Sequence, residues 1–425
     1  MRGHEWGLCG ALVSREIRSL PESRGRRLRA NIPRSFLLAI VGLLGAVRAV
    51  AQQYDAIELT HPAIQYERPA NDAAARLLQR PADLAGLTAD GPSGFLRSIL
   101  RALDVPVSSQ IMVFSQGSVQ SRLIAASNPR ALYFNDSTVV GWVRGGFIEI
   151  AAQDPEQGTV FYAVNTNPLG RPSLARSDTC LSCHNSNRTN EVPGMIEPMG
   201  HTRPLERRWG GWYVTGSLGA IQHFGNVDVL KAVNQPTKTV TLASLERTFD
   251  TRGYLAPYSD IAALMVFEHQ MQMINLMTRV GWETRVALHD KQFDARRPAI
   301  LEYVSQLVDY MLFVDEAPIT SKLEGTSGFA EAFSSSGPRD AKGRSLRQLD
   351  LNTRLLRYPC SYMIYSAQFD HLPADAKTAI YERLWTILSG KEKDTRYRRL
   401  SAADRRAIID ILRETKSDLP KYFAG

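Results

Sequence analysis

Four cysteines in 425 residues are too few for a disulfide-built scaffold. One of the four, Cys9, lies in a stretch that reads as a leader. Histidine is also scarce, at eight residues, so any metal chemistry has to draw on a handful of positions. The chain has no internal repeat and no low-complexity segment, which excludes solenoids and arrays. It also lacks a convincing membrane span. The apolar run between Arg34 and Arg48 is 13 residues, a helix of about 20 Å against a hydrocarbon core of about 30 Å.

That short run has another reading. Arg24, Arg26, Arg27, Arg29 and Arg34 precede it as a basic region, Phe36 to Val47 is apolar, and Ala49-Val50-Ala51 has the form of a cleavage site. Residues 1–51 are therefore expected to be a signal peptide, with the mature chain exported to the periplasm. The leader carries nine Lys/Arg and three Asp/Glu, so its removal lowers the formal net charge from +8 to +2. The basicity belongs mostly to the leader. It gives no ground for a nucleic-acid or anionic-membrane partner.

What is present is Cys180-Leu181-Ser182-Cys183-His184. In the form C-x-x-C-H two thiols bond the vinyl groups of haem and the histidine ligates the iron. The expectation is one covalent haem c, attached by Cys180 and Cys183, with His184 as proximal ligand. A structural zinc site needs about four ligands and no second C-x-x-C or close histidine pair accompanies this one, although Cys360 and a distant histidine could complete a set. A thioredoxin-like pair should open a helix after a strand, whereas Ser177-Asp178-Thr179 and Asn185-Ser186-Asn187 read as loop. With both motif thiols on haem, Cys360 has no intramolecular partner and reads as a small buried hydrophobe.

The pattern along the chain is α+β: a β-rich N-terminal half, a haem-binding loop and a helical C-terminal half. Helical patterns lie near Asp72–Gln79 and Gly94–Leu103. Strands are expected at Gln110–Ser115, Ala131–Asn135, Val139–Val143, Phe147–Ala152, Thr159–Asn165 and Gly211–Ser217. Helices are expected at Asp260–Val280, Pro298–Asp315, Ala374–Leu388 and Ala402–Thr415, the last capped by Ser401, with Ser334–Arg347 as exposed loop. The regions are 52–175 (β-rich), 176–235 (haem-binding) and 236–425 (helical).

Haem propionates need cationic or hydroxyl partners. Arg203, Arg207 and Arg208, with Trp209, Trp212 and Tyr213, follow the motif, and Arg176 and Arg188 flank it. For the distal side the candidates are His61, Met195, Met199, His201, His223, His269 and His289. His269 leads, because Met265, His269, Met273 and Met277 recur every four residues and form one helical stripe. The competing reading is a core seam with a hydrogen-bonded histidine. His223 is the second choice.

The chain from about residue 131 resembles a group of bacterial exported monohaem c-type cytochrome proteins. The resemblance rests on Tyr133-Phe134-Asn135-Asp136, the Cys180–His184 motif, Gly210-Gly211-Trp212-Tyr213-Val214-Thr215-Gly216, Glu268-His269-Gln270 and Tyr358-Pro359-Cys360-Ser361-Tyr362. It implies haem and an extracytoplasmic location. The function expected first is one-electron transfer to or from a redox partner protein. The alternatives are a haem enzyme, peroxidase-like or oxygen-reactive, and a haem-based small-ligand sensor. A second strong iron ligand suits transfer, and an open position suits catalysis or sensing.

Overall fold

In the computed structural model the described residues are 56–166, 170–196, 200–227 and 241–424. The leader, Met199 and most of the segment after Val227 lie outside them. Residues Gln53–Gly425 form one unit. Its first elements are three short helices, α1 (Ala73–Leu78), α2 (Pro81–Ala85) and α3 (Leu96–Ala102). Asp72 caps α1, its side chain accepting from Ala74 N and Ala75 N.

The sheet follows as an antiparallel meander: β1 (Ile111–Val113), β2 (Arg130–Phe134), β3 (Thr138–Trp142), β4 (Ile148–Asp154), β5 (Gly158–Thr166) and β6 (Pro172–Arg176). A short helix α4 (Leu181–His184) comes next, then β7 (Trp212–Tyr213), which pairs with β1 at the far edge. The order is β6-β5-β4-β3-β2-β1-β7. Alternation places Ile148, Ile150, Ala152, Val160, Tyr162 and Val164 on one face. They pack there with Leu77, Leu96, Ile99 and Leu100 of the N-terminal helices. On the other face Leu132, Phe134 and Val139 meet the helical half.

That half is built on α5 (Ile261–His289), 29 residues long, about 44 Å at the usual rise. Asp260 caps it through one carboxylate oxygen, which accepts from Ala262 N (2.8 Å) and Ala263 N (3.0 Å). The other oxygen accepts from Thr326 N (2.7 Å) and Ser327 N (2.9 Å), tying the helix start to a distant loop. Nearly every residue of α5 is buried. Its buried polar residues, Glu268, His269, Gln270, Asn275, Arg279 and Glu283, lie among a majority of apolar ones, and among the described residues no helix is long and apolar enough to cross a membrane. Around it lie α6 (Phe293–Met311), α7 (Phe329–Ser335), α8 (Ala367–Asp370), α9 (Ala374–Leu388) and α10 (Ala402–Thr415). Ser401 and Asp404 form the capping box of α10.

The molecule is thus α+β, with the antiparallel sheet in the N-terminal half and the helices in the C-terminal half. Three expectations are corrected. Strand β6 is not among the expected strands; its edge pairing with β5 tolerates Pro172 at the first position. The strand at 211–217 shrinks to Trp212–Tyr213, with Thr215 and Ser217 making isolated bridges. Helix α5 runs on to His289, and α6 starts at Phe293 with Pro298 inside it.

Candidate functional site

The motif is not loop. Beyond β6, Asp178–Cys180 makes a tight helical turn that continues into α4. Cys180 and Cys183 are three residues apart on this turn and so share one face. Both thiols are free; Cys180 is half-buried and Cys183 exposed. Burial is the main influence raising the Cys180 thiol above its ordinary pKa.

His184 is held from both ends of its residue. Its Nδ1 lies 2.8 Å from Gly194 O. Gly194 N in turn donates to His184 O at 2.9 Å. A carbonyl only accepts, so Nδ1 carries the proton and Nε2 presents a lone pair. Burial pushes the imidazole pKa below its usual value, which keeps the ring neutral. Phe161 of β5 packs against it, centroid to centroid 4.8 Å.

The clamp that holds Gly194 comes from α5. Asn275 Oδ1 accepts from Met195 N (3.0 Å), and Asn275 Nδ2 donates to Met195 O (2.7 Å). A Cβ on Gly194 would lie 2.2 Å from Asn275 Oδ1, so only glycine allows this approach. The long helix therefore sets the motif histidine through one buried amide.

The face of the sheet that carries Phe161 has mostly small side chains toward β6. Cross-strand pairing puts Leu132, Gly141, Glu149, Ala163 and Ala175 in one row over β2–β6. Ala151 and Phe161 make the next row. Arg130, on the face of Leu132, forms an ion pair with Glu149. Burial is the largest influence on the Cys180 and His184 pKa values, and the Arg130 and Glu149 charges act on both groups as well.

His269, the leading candidate for the distal side, lies on α5 and makes its contacts inside the core. It is fully buried, with Nε2 2.8 Å from Ser361 Oγ and Nδ1 3.2 Å from His201 Nδ1. Phe313 and Tyr310 stack on it at 4.3 and 5.3 Å. Both ring nitrogens are engaged, and Met265, Met273 and Met277 fill the same core. This is the core-seam alternative. Burial holds the His269 pKa down to about 3.

Of the expected propionate clamp, Arg208 and Trp209 are internal. Arg208 is buried and donates to Arg203 O (2.7 Å), His201 O (2.8 Å) and Glu268 Oε2 (3.3 Å). Trp209 Nε1 donates to Glu268 Oε1 at 3.0 Å. Arg203, Arg207 and Arg188 are exposed, and Arg176 is engaged with Asp178 and Tyr66 O. His223 is buried edge-on to Trp209. Cys360 is fully buried in the core with its thiol pushed up to about 12, as its reading as a hydrophobe requires.

Among the described residues the one group with metal-ligating geometry is His61, His289 and Asp290, which does not include the motif. There His61 Nδ1 accepts from Ala63 N (3.1 Å), so neutral His61 keeps its proton on Nε2, facing Asp290 at 3.4 Å. No described group unites Cys180 and Cys183 with further zinc-type ligands.

Sequence reasoning missed Asn275 and the Arg130–Glu149 pair. The signals were slight: one of three amides in a mostly apolar helix, and one carboxylate inside Phe147-Ile148-Glu149-Ile150. Comparison with family models, with curated proteins and with solved structures finds no match.

Proposed function

We propose that this chain is a c-type cytochrome that carries one haem, bonded through Cys180 and Cys183, and exchanges single electrons with a partner protein. The observation that carries this reading is the state of His184. Its Nδ1 proton is committed to Gly194 O, burial holds its pKa below the usual value, and Nε2 is left with a lone pair on the residue that directly follows two free thiols of one helical turn. A proximal haem ligand needs that tautomer, and a backbone carbonyl is the usual way to fix it.

The group would supply reversible one-electron chemistry at iron. The chain's own residues do the rest. Cys180 and Cys183 would hold the group, the Gly194 carbonyl orients the imidazole, and Asn275 keeps that carbonyl in place. Phe161 excludes water from one side of the imidazole. Export to the periplasm, and membership of the exported monohaem group, belong to the same proposal, since haem attachment of this kind goes with the leader read at 1–51.

The test is mass spectrometry of denatured protein made with cytochrome-maturation machinery. The chain from about Gln52 plus one haem is expected, with attachment lost or weakened in Cys180→Ala and Cys183→Ala. A chain without added mass, or one that yields zinc in place of iron, overturns the reading. An absorption spectrum that is low-spin and indifferent to carbon monoxide would favour electron transfer over catalysis or sensing.

A further inference from the structure

We infer that the Arg130–Glu149 pair is a built-in regulator of the reduction potential of the group held at Cys180–His184, a step that rests on the haem reading above. The geometry leads there from His184. Its ring packs on Phe161, and Ala163 is two residues further along the same strand, on the same face and about 7 Å away. Ala163 pairs directly with Glu149. Glu149 pairs in turn with Gly141, across which Arg130 reaches it. A Cβ on Gly141 would lie 2.7 Å from the Arg130 guanidinium, so glycine here leaves the path that the side chain takes.

The pair is oddly placed for a structural role. Glu149 stands in a row otherwise made of Leu132, Gly141, Ala163 and Ala175, and Arg130 reaches it from the neighbouring row, opposite Val113. Its side chains are only 21% and 14% exposed. An ion pair this far from water loses hydration about as fast as it gains Coulomb energy, and apolar residues of like size would serve stability equally well. Arg130 Nε is buried without a hydrogen-bond partner. The same partial burial makes each charge felt over longer distance than at an exposed site. Both charges already act on Cys180 and His184.

Ferric iron carries one more positive charge than ferrous iron, which fixes the signs. Removing the Arg130 cation leaves the Glu149 carboxylate uncompensated, favours the ferric form and lowers the potential. Removing the Glu149 charge does the reverse.

Redox titration of the purified haem-loaded protein tests this on Arg130→Gln, Glu149→Gln and the double variant. Each single change is expected to move the reduction equilibrium constant about tenfold, in opposite directions. That is about 59 mV for one electron. The double variant should fall near the wild type. Arg188→Gln, beside the motif but exposed, should shift it less and lose its effect in high salt. Haem content is measured on every sample. Should Arg130→Gln fold poorly, the upward shift in Glu149→Gln and an unchanged potential in Arg130→Lys decide the matter. Equal potentials in all variants with haem intact, or shifts of the same sign, overturn the inference and leave the cytochrome reading standing. Wild-type protein without covalent haem overturns the cytochrome reading itself.

Discussion

Two histidines of this chain have sulfur-bearing neighbours in the sequence, and the fold treats them oppositely. His184 is half-buried at the sheet edge and spends one nitrogen on a backbone carbonyl. His269 is fully buried and spends both, on Ser361 and His201, with aromatic rings stacked on its faces. A buried imidazole needs partners for its polar atoms or it costs stability. Once both nitrogens are satisfied inside the core, the residue is structural. One that is satisfied on a single side, beside thiols, remains able to ligate. The methionine stripe around His269 is core packing of the ordinary adaptable kind.

The contrast is broken most severely by exchanging the two losses. His184→Ala is expected to abolish the wild-type haem spectrum while the chain still folds. His269→Ala is expected to leave that spectrum in place and to cost about 3 kcal/mol of stability, from the lost Ser361 bond and the cavity left between the rings. Absorption spectra with denaturant titration of both variants check this. A changed spectrum in His269→Ala with normal folding would return that residue to the iron.

The link between the helix and the motif gives a middle-sized effect. Asn275→Ala removes both bonds to Met195, and should cost about 2 kcal/mol. Because the Gly194 carbonyl is then less firmly placed, the potential and the linewidths of the His184 resonances should change as well. An effect on stability alone would mean that the amide merely holds the loop.

The smallest effect is a slope against pH. His269 and His223 have folded pKa values held down to about 3 and about 4 by burial, against a usual 6.5. Below pH 6.5 the unfolded chain takes up these protons and the folded one does not, so stability falls as the pH drops. Glu268 and Glu316, pushed up by burial to about 7 from 4.5, act in the opposite sense: their contribution is lost as the pH rises from 4.5 to 7. Between pH 4.5 and 6.5 the two sets offset. Below 4.5 these two glutamates are protonated in both states and no longer offset the histidines, while Glu156, Glu392 and Asp290, whose pKa values are lowered in the fold, act in the same sense as the histidines, so stability should fall more steeply there. In His269→Gln the slope between about pH 3 and pH 4.5 should be shallower by about 1.4 kcal/mol per pH unit, one proton's worth. Parallel curves for the two proteins in chemical denaturation would contradict this.

Several features were legible from local signals. The helices Ala374–Leu388 and Ala402–Thr415 match their patterns to the residue, the second because Ser401 and Asp404 form its cap within four residues of chain. Strands β2 to β5 were found near their places because alternation and turn residues are also local. Edge strand β6 was missed, since only its pairing with β5 makes it a strand. Arg208 and Trp209 read as a surface clamp because nothing near them in sequence announces Glu268, about sixty residues away.

By itself the sequence determined the chemistry available at Cys180, Cys183 and His184, because a C-x-x-C-H spacing acts within one helical turn and needs no distant residue. It also determined the α+β class, since hydrophobic period is a local property. Which histidine keeps a lone pair was decided only in three dimensions. Gly194 reaches His184 because Asn275, eighty residues on from Met195, holds that loop, and His269 is satisfied by Ser361, which is ninety-two residues away. The pairing of Arg130 with Glu149 over Gly141 is likewise a product of strand register. Hydrogen bonds and ion pairs form between atoms near in space, and no local pattern records which distant segments the core brings together.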